Sequence, residues 1–268
     1  MEQVTKGAEA FPGSGEIWTV NVDGANARRL TSGHEDEHPR FSPDGRAIVF
    51  TRDEDIWIIN ADGTELRNLT NTKDTTEAAP EFTNDGQSVL FLREGSTKLE
   101  IDAMLEGKST KEVVLRNVGD GRERVLLKDI SAEQGGFDVK QVVPNPTDDN
   151  AVLLLSRPLG ADGKPVKGDT EDRVIAVLKL DGSAPRTLFA PKAGSKMIIH
   201  SMRITPARMM LEIGKPDEIG QQVGLVEKDE IVLLGDALFF GDVTQDGTGL
   251  VGIGMNNETF GSGSMSDT

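Results

Sequence analysis

A repeat of about 40 residues is the feature of this 268-residue sequence that most constrains its fold. The segment 16–31 begins Glu-Ile-Trp-Thr-Val-Asn and ends Arg-Arg-Leu-Thr, and 55–70 repeats this pattern 39 positions later as Asp-Ile-Trp-Ile-Ile-Asn and Arg-Asn-Leu-Thr. A second phrase, Pro-Arg-Phe-Ser-Pro-Asp-Gly at 39–45, returns 41 positions later as Pro-Glu-Phe-Thr-Asn-Asp-Gly at 80–86. Self-similarity at such a period indicates one structural unit used several times.

Each repeat predicts four short strands joined by turns. The Asp-Gly pairs at 44–45 and 85–86 favour hairpin turns, because glycine readily adopts positive φ. Short apolar runs follow each pair, and the Ile-Trp phrases supply a further strand rich in branched and aromatic residues. Trp18 and Trp57 occupy equivalent positions and are predicted to pack between neighbouring sheets. Four-stranded units at this period are typical of β-propeller blades.

Weaker copies of the repeat continue to about residue 254. The strand count favours five blades, with six as the alternative because a degenerate copy could lie within residues 93–172. The N-terminal copy lacks its first strand pair and the C-terminal copy lacks its second, so we expect their strands to pair and close the ring, which would remove exposed sheet edges. The predicted organisation is an extension at 1–15, one all-β propeller at 16–260 and a Gly/Ser-rich tail at 261–268.

The phrases Phe-Ser-Pro-Asp-Gly-Arg, Asp-Ile-Trp-Ile-Ile-Asn-Ala-Asp-Gly and Arg-Asn-Leu-Thr resemble the TolB-like, or WD-like, β-propeller repeat family. The resemblance is specific over residues 16–92. It implies a propeller, and a periplasmic or extracellular location in the bacterial envelope. Relatives of these repeats include envelope proteins that bind partners, gating propellers of peptidases and a few sugar lyases.

Composition excludes several classes of partner. The chain has 45 acidic and 29 basic residues, a net charge of −16, so an extended contact with a nucleic-acid backbone is excluded. It has no apolar run long enough to span a bilayer, so no membrane insertion is expected. It contains no cysteine, which excludes disulfides and thiolate metal sites.

One acidic segment resembles a metal-binding pattern. His34-Glu35-Asp36-Glu37-His38 places two histidines around a glutamate, as zinc proteases do on a helix. Pro39 follows at once and disfavours a helix at His38. A looser divalent-cation site formed by His34, Asp36 and His38 is possible but unsupported, and we expect mainly a solvated acidic loop and no cofactor.

Two long insertions, 93–111 and 157–172, are predicted to rise from one face of neighbouring blades. The first contains four apolar side chains that would form an exposed cluster suited to a protein contact. These candidate binding residues are Leu99, Ile101, Met104 and Leu105. The alternative is that the insertion simply extends its hairpin and packs on its own blade.

Catalytic motifs are missing from the sequence. It has no Gly-x-Ser-x-Gly nucleophile motif, no tyrosine and only three histidines. The sequence therefore predicts a propeller that is not an enzyme and binds another protein, as a subunit or adaptor of an envelope complex. Two alternatives remain open: a carbohydrate-active lyase or hydrolase with a cation at the propeller mouth, and a gating domain of a peptidase.

Overall fold

The computed structural model describes most of residues 15–253 as strands and turns. The described ranges are 15–19, 26–73, 75–95, 110–130, 137–155, 158–166, 173–191, 197–204, 209–214, 221–227, 230–237, 239–243 and 250–253. All regular structure in these ranges is β, and no described helix is long and apolar enough to cross a membrane.

Within the described ranges, twenty strands form four sheets of four strands and two sheets of two strands, and all their pairs are antiparallel. The first two-stranded sheet contains β1 (Trp18–Thr19) and β2 (Arg28–Arg29). Sheet I contains β3 (Asp36–Phe41), β4 (Ala47–Arg52), β5 (Asp55–Asn60) and β6 (Arg67–Asn68). Sheet II contains β7 (Thr75–Phe82), β8 (Ser88–Gly95), β9 (Thr110–Asn117) and β10 (Glu123–Ile130).

The second half of the chain repeats the same order. Sheet III contains β11 (Val139–Pro144), β12 (Asn150–Leu155), β13 (Val174–Lys179) and β14 (Arg186–Phe189). Sheet IV contains β15 (Ile198–Ile204), β16 (Met209–Gly214), β17 (Gln221–Glu227) and β18 (Glu230–Ala237). The second two-stranded sheet contains β19 (Phe239–Val243) and β20 (Leu250–Ile253).

This architecture confirms the predicted all-β propeller. Each four-stranded sheet is a meander, with strands hydrogen-bonded in chain order, as in a propeller blade. The two two-stranded sheets together have four strands, which is the number required for the predicted fifth blade. The chain divides into two compact units, residues 1–136 with 180–183, and residues 137–179 with 184–268.

Side-chain hydrogen bonds fix the Asp-Gly turns between the first two strands of sheets I and II. Gly45 and Gly86 have φ values of 72° and 68°, a region that favours glycine. In sheet I, Ser42 Oγ donates to Asp44 Oδ1 at 2.6 Å and accepts from the Ala47 N–H at 2.9 Å. Thr83 repeats both contacts in sheet II, so the turn is a property of the repeat.

The core of the first unit lies on both faces of sheet I, because neighbouring residues of a strand point to opposite faces. Val49 packs towards sheet II, in a cluster that includes Phe82 and Phe91. Phe50 packs on the other face, in a cluster with Ile17. Trp57 packs partly against this second cluster, as predicted, whereas Trp18 is 42% exposed, so the prediction for Trp18 is wrong.

The core of the second unit joins sheets III and IV. Val152 and Leu154 of β12 and Ile175 of β13 pack in one cluster with Ile199 and Leu211 of sheet IV. All five side chains are essentially excluded from solvent. The face-to-face packing of successive sheets is therefore the same in both units.

Candidate functional site

A buried ion pair joins the first two strands of sheet I. Asp36 begins β3 and lies opposite Arg52, the last residue of β4. Arg52 Nε donates to Asp36 Oδ1 at 2.5 Å, and a terminal nitrogen donates to Oδ2 at 2.7 Å. The side chains are 0% and 4% exposed, and this bidentate geometry satisfies both carboxylate oxygens. Arg52 also lies over the Phe50 and Trp57 rings, 5.1 Å from each centroid.

Sheet II carries the equivalent pair 41 positions later, with a longer acid. Glu77 of β7 lies opposite Arg93 of β8, and Arg93 Nε donates to Glu77 Oε1 at 2.8 Å. The Glu77 side chain is fully buried. Arg93 lies 5.3 Å from the centroid of the Phe91 ring, as Arg52 does over Phe50.

Arg93 differs from Arg52 in also reaching a second carboxylate. One of its terminal nitrogens donates to both oxygens of Glu123 on β10, at 3.0 and 2.9 Å. Glu123 Oε1 also accepts from Arg116 on β9 at 2.7 Å. Burial lowers the pKa of the Arg93 guanidinium, but the bonds to Glu77 and Glu123 outweigh this and raise it overall. Arg93 therefore remains a fixed positive charge.

The segment that joins sheets I and II is held against these groups by carboxylates. Asp55 Oδ1 accepts from the Thr72 N–H at 2.9 Å and from the Thr70 hydroxyl at 3.0 Å, and Oδ2 accepts from Asn68 at 2.7 Å. Burial raises the pKa of Asp55, but these hydrogen bonds outweigh it and hold the pKa below its ordinary value. The Thr72 hydroxyl also lies 2.9 Å from Glu77 Oε2, which links the segment to the buried ion pair.

These elements enclose an open cleft of about 440 Å³ at the surface of the first unit. It is lined by the side chains of Thr70, Thr72, Lys73, Thr75, Arg93, Arg116 and Glu123. Three of these residues are basic and one is acidic, in a chain with a large excess of acidic residues. The cleft is therefore suited to a small anionic group, and we take it as the candidate functional site.

The structure does not bring together the predicted cation ligands His34, Asp36 and His38. His34 Nδ1 lies 3.3 Å from Asp53 Oδ2, and both side chains are largely exposed. Asp36 is buried and fully used by Arg52. Across the described parts of the chain, no group of three or more histidine or carboxylate side chains could hold a metal ion.

His38 occupies a strand irregularity rather than a helix. Its φ is 53°, and the equivalent Ala79 of sheet II has a φ of 54°. Both lie where the register of the first strand pair shifts, which is typical of a β-bulge. Burial lowers the pKa of the His38 imidazole, and the positive charge of Arg40 lowers it further. The negative charges of Glu37 and Glu81 raise this pKa, but it remains below its ordinary value.

The predicted apolar binding cluster lies outside the described residues. Leu99, Ile101, Met104 and Leu105 fall between the end of β8 and the start of β9. Of the second insertion, 158–166 is described, and it forms a short turn closed by a bridge between Leu159 and Pro165. The predicted role of the first insertion stays a prediction.

The charged network was not predicted from the sequence, although the sequence contains a signal for it. The offset of 41 that relates the two Asp-Gly phrases also relates Asp36 to Glu77 and Arg52 to Arg93. A repeated acid and a repeated arginine, one at each end of a predicted strand pair, predict a cross-strand ion pair. Arg116 and Glu123 have no such signal, because they lie in strands without a clear repeat partner.

Comparison with known proteins relates this chain to β-propellers. Residues 10–84 match the model of the dipeptidyl peptidase IV N-terminal region. A search of curated protein sequences finds no match. Oligogalacturonate lyase of Vibrio parahaemolyticus superposes with a TM-score of 0.62 at 14% identity, over 91% of this chain and 66% of that chain.

Two further structures show the same fold. A TolB candidate from Agrobacterium tumefaciens superposes with a TM-score of 0.58 at 13% identity, over 84% of this chain and 75% of that one. Dipeptidyl peptidase 4 of Porphyromonas gingivalis gives 0.54 at 13% identity, over 97% of this chain and 43% of the peptidase. The β-propeller resemblance is thereby confirmed, and this chain spans just under two thirds of the lyase.

These findings correct the functional prediction. The sequence predicted a protein-binding propeller that is not an enzyme, because catalytic motifs are missing. The matched family model is a region of a peptidase, and lyases and peptidases are among the similar structures, so an enzyme-related propeller is the better interpretation. The missing motifs misled the prediction because a propeller can serve a catalytic domain without carrying the nucleophile.

Proposed function

We propose that this chain is the propeller part of a peptidase, and that it selects short peptides for a hydrolytic domain. The observation that carries the proposal is the match of residues 10–84 to the dipeptidyl peptidase IV N-terminal region. Those residues include the first two-stranded sheet, sheet I, all of β7 and the segment that joins sheet I to β7. The basic cleft borders that joining segment, which supports a role in binding a substrate group.

The TolB-like resemblance supplies the location in this proposal. We place the protein in the bacterial envelope or outside the cell, where its peptide substrates would be nutrients or fragments of other proteins. The high acidic content fits solubility there, since net charge keeps proteins apart.

A second candidate is a lyase acting on acidic sugars. It is favoured by the superposition on oligogalacturonate lyase over 91% of this chain and by the three basic side chains of the cleft, which suit a carboxylate-bearing sugar. A similar lyase structure contains manganese. The described residues do not fit such an ion: Asp36 is used by Arg52 and His34 lies beside Asp53. No reaction step is therefore assigned to a metal.

Immunodepletion would separate the two candidates. Antibodies raised against the purified chain would be used to deplete an envelope extract of the source organism, with pre-immune antibodies as the control. Hydrolysis of fluorogenic dipeptidyl and aminoacyl substrates and cleavage of oligogalacturonate would then be measured. The proposal expects a selective loss of peptide hydrolysis. Unchanged peptide hydrolysis would refute it, and a selective loss of oligogalacturonate cleavage would establish the lyase instead.

A further inference from the structure

Positive charge is in excess in the cleft between sheets I and II. Lys73, Arg93 and Arg116 line it, together with one carboxylate, Glu123. Arg93 and Arg116 are paired with Glu123 and with the buried Glu77, which leaves the charge of one lining cation without an ion pair. That charge lies on Lys73, which is exposed and makes no ion pair with any residue in the described part of the chain.

The contacts already present show which anion the cleft accommodates. Glu123 lies between two guanidinium groups, with Arg116 at 2.7 Å and Arg93 at 2.9 Å. A carboxylate matches the planar guanidinium in shape and charge, so a ligand carboxylate can use the same donors from the open side.

The threonine side chains fix the geometry of the cleft instead of competing for the ligand. The Thr70 hydroxyl donates to Asp55, and the Thr75 hydroxyl donates to Glu77 at 2.8 Å. Because these bonds hold the segment that carries Lys73, they fix the point at which its side chain enters the rim of the cleft. A positioned charge binds a ligand with a smaller loss of conformational entropy than a charge on a loose loop.

We propose that this cleft binds a small ligand through its carboxylate, with Lys73 and Arg116 as the contacting cations. The inference rests on the proposed function for the source of that carboxylate, which is the C-terminus of a short peptide. The volume of the cleft, about 440 Å³, is within the range of small-molecule sites and leaves room for a few peptide residues beside the carboxylate. The second source of the same group is a uronic acid residue of an oligosaccharide.

Calorimetric titration of the purified chain would test the site. The probes are an N-acetylated tripeptide with a free C-terminus, the same peptide as its C-terminal amide, and trigalacturonate. We expect the peptide acid to bind and the amide to bind at least about tenfold more weakly, because a charge-assisted contact is lost. Added salt should weaken binding of the acid, since Lys73 is exposed.

Two variants locate the binding. Lys73→Ala removes the unbalanced charge without touching a described ion pair, and it should weaken binding of the acid about tenfold or more. Arg122→Ala is the matched control, because Arg122 is 88% exposed, pairs with Asp120 and lies outside the cleft lining. It should leave affinity unchanged. Equal melting temperatures of the variants and the wild-type chain would show that both are folded.

The outcomes separate the site from the proposed function. Binding of the peptide acid that depends on Lys73 supports both. Binding of trigalacturonate alone, with the same dependence on Lys73, supports the carboxylate site and contradicts the peptidase proposal. Binding of neither acid, or binding that Lys73→Ala leaves unchanged, overturns the site. In that case a loss of peptide hydrolysis on immunodepletion would still support the function.

Discussion

Breaking the buried Asp36–Arg52 pair should cost much more free energy of unfolding than removing the pair altogether. Asp36→Val leaves the 4%-exposed Arg52 without its carboxylate, and Arg52→Leu leaves the fully buried Asp36 without its cation. Either change strands a charge away from water, which costs about 3–5 kcal/mol. If the two effects were independent, the double variant would lose about 6–10 kcal/mol.

The protein itself contains the apolar alternative to this pair. Val139 and Leu155 of sheet III occupy the same register position beside the strand irregularity, and both are fully buried. The Asp36→Val/Arg52→Leu variant reproduces that pair in sheet I. It loses the contacts of Arg52 with two aromatic rings, worth about 0.5–1 kcal/mol each. We therefore expect a total loss of about 2 kcal/mol or less, and a coupling free energy of at least about 4 kcal/mol.

Urea unfolding followed by tryptophan fluorescence would measure these differences. The chain has two tryptophans, Trp18 and Trp57, and both lie in the first unit, so the signal reports on the unit that carries the change. Removing the exposed Arg122–Asp120 pair is the matched control and should show a coupling below about 1 kcal/mol. A double variant as unstable as the sum of the single variants would refute the argument.

Three further predictions concern single positions. Asp55→Asn should lower stability at neutral pH, because the pKa of Asp55 is held below its ordinary value and the carboxylate stabilises the fold only while it is ionised. The difference in free energy of unfolding between this variant and wild type should shrink as pH falls through the Asp55 pKa, which urea unfolding from pH 7 to 3 would show. The pKa of His38 is lowered in the folded protein, so the unfolded state binds the proton more tightly and wild-type stability should fall between about pH 7 and 5. His38→Gln should make this loss smaller, and parallel curves of stability against pH for the variant and wild type would contradict the prediction. Ser42→Ala should cost about 1 kcal/mol because it removes the hydroxyl that bonds Asp44 and the Ala47 N–H, and calorimetric melting should find a similar cost for Thr83→Ala.

The fold was predictable from the sequence because its determinants are local. The Asp-Gly turns, the alternation of apolar residues and the repeat period each act within a few residues, and the structure places β4 and β8 directly after the two turns. The weaker repeats of sheets III and IV could still be found, since burial on both faces requires apolar strands even where the turn phrases are lost. Trp18 shows the limit of prediction from local sequence. It matches Trp57 in the repeat but is exposed, because the burial of a side chain depends on which neighbouring surface it faces.

The candidate site was less predictable because its groups meet only after sheets I and II pack. Lys73 follows sheet I in the sequence, whereas Arg116 and Glu123 come from β9 and β10, the last two strands of sheet II. No spacing in the sequence relates these positions. The interpretation of His34–His38 as cation ligands relied on proximity in sequence. In the structure Asp36 begins β3 and is buried against Arg52, whereas His34 precedes β3 and lies at the surface beside Asp53.

The length of one acidic side chain explains why the cleft borders sheet II. Asp36 uses both oxygens on Arg52, so that pair is closed on itself. In sheet II, Glu77 Oε1 accepts from Arg93 Nε and from Thr75, while Oε2 faces the Thr72 hydroxyl. Arg93 consequently turns a terminal nitrogen outward to Glu123. In sheet I the ion pair therefore uses only its own two side chains. In sheet II the equivalent pair leaves a terminal nitrogen of Arg93 beyond Glu77, and this nitrogen brings positive charge to the lining of the cleft.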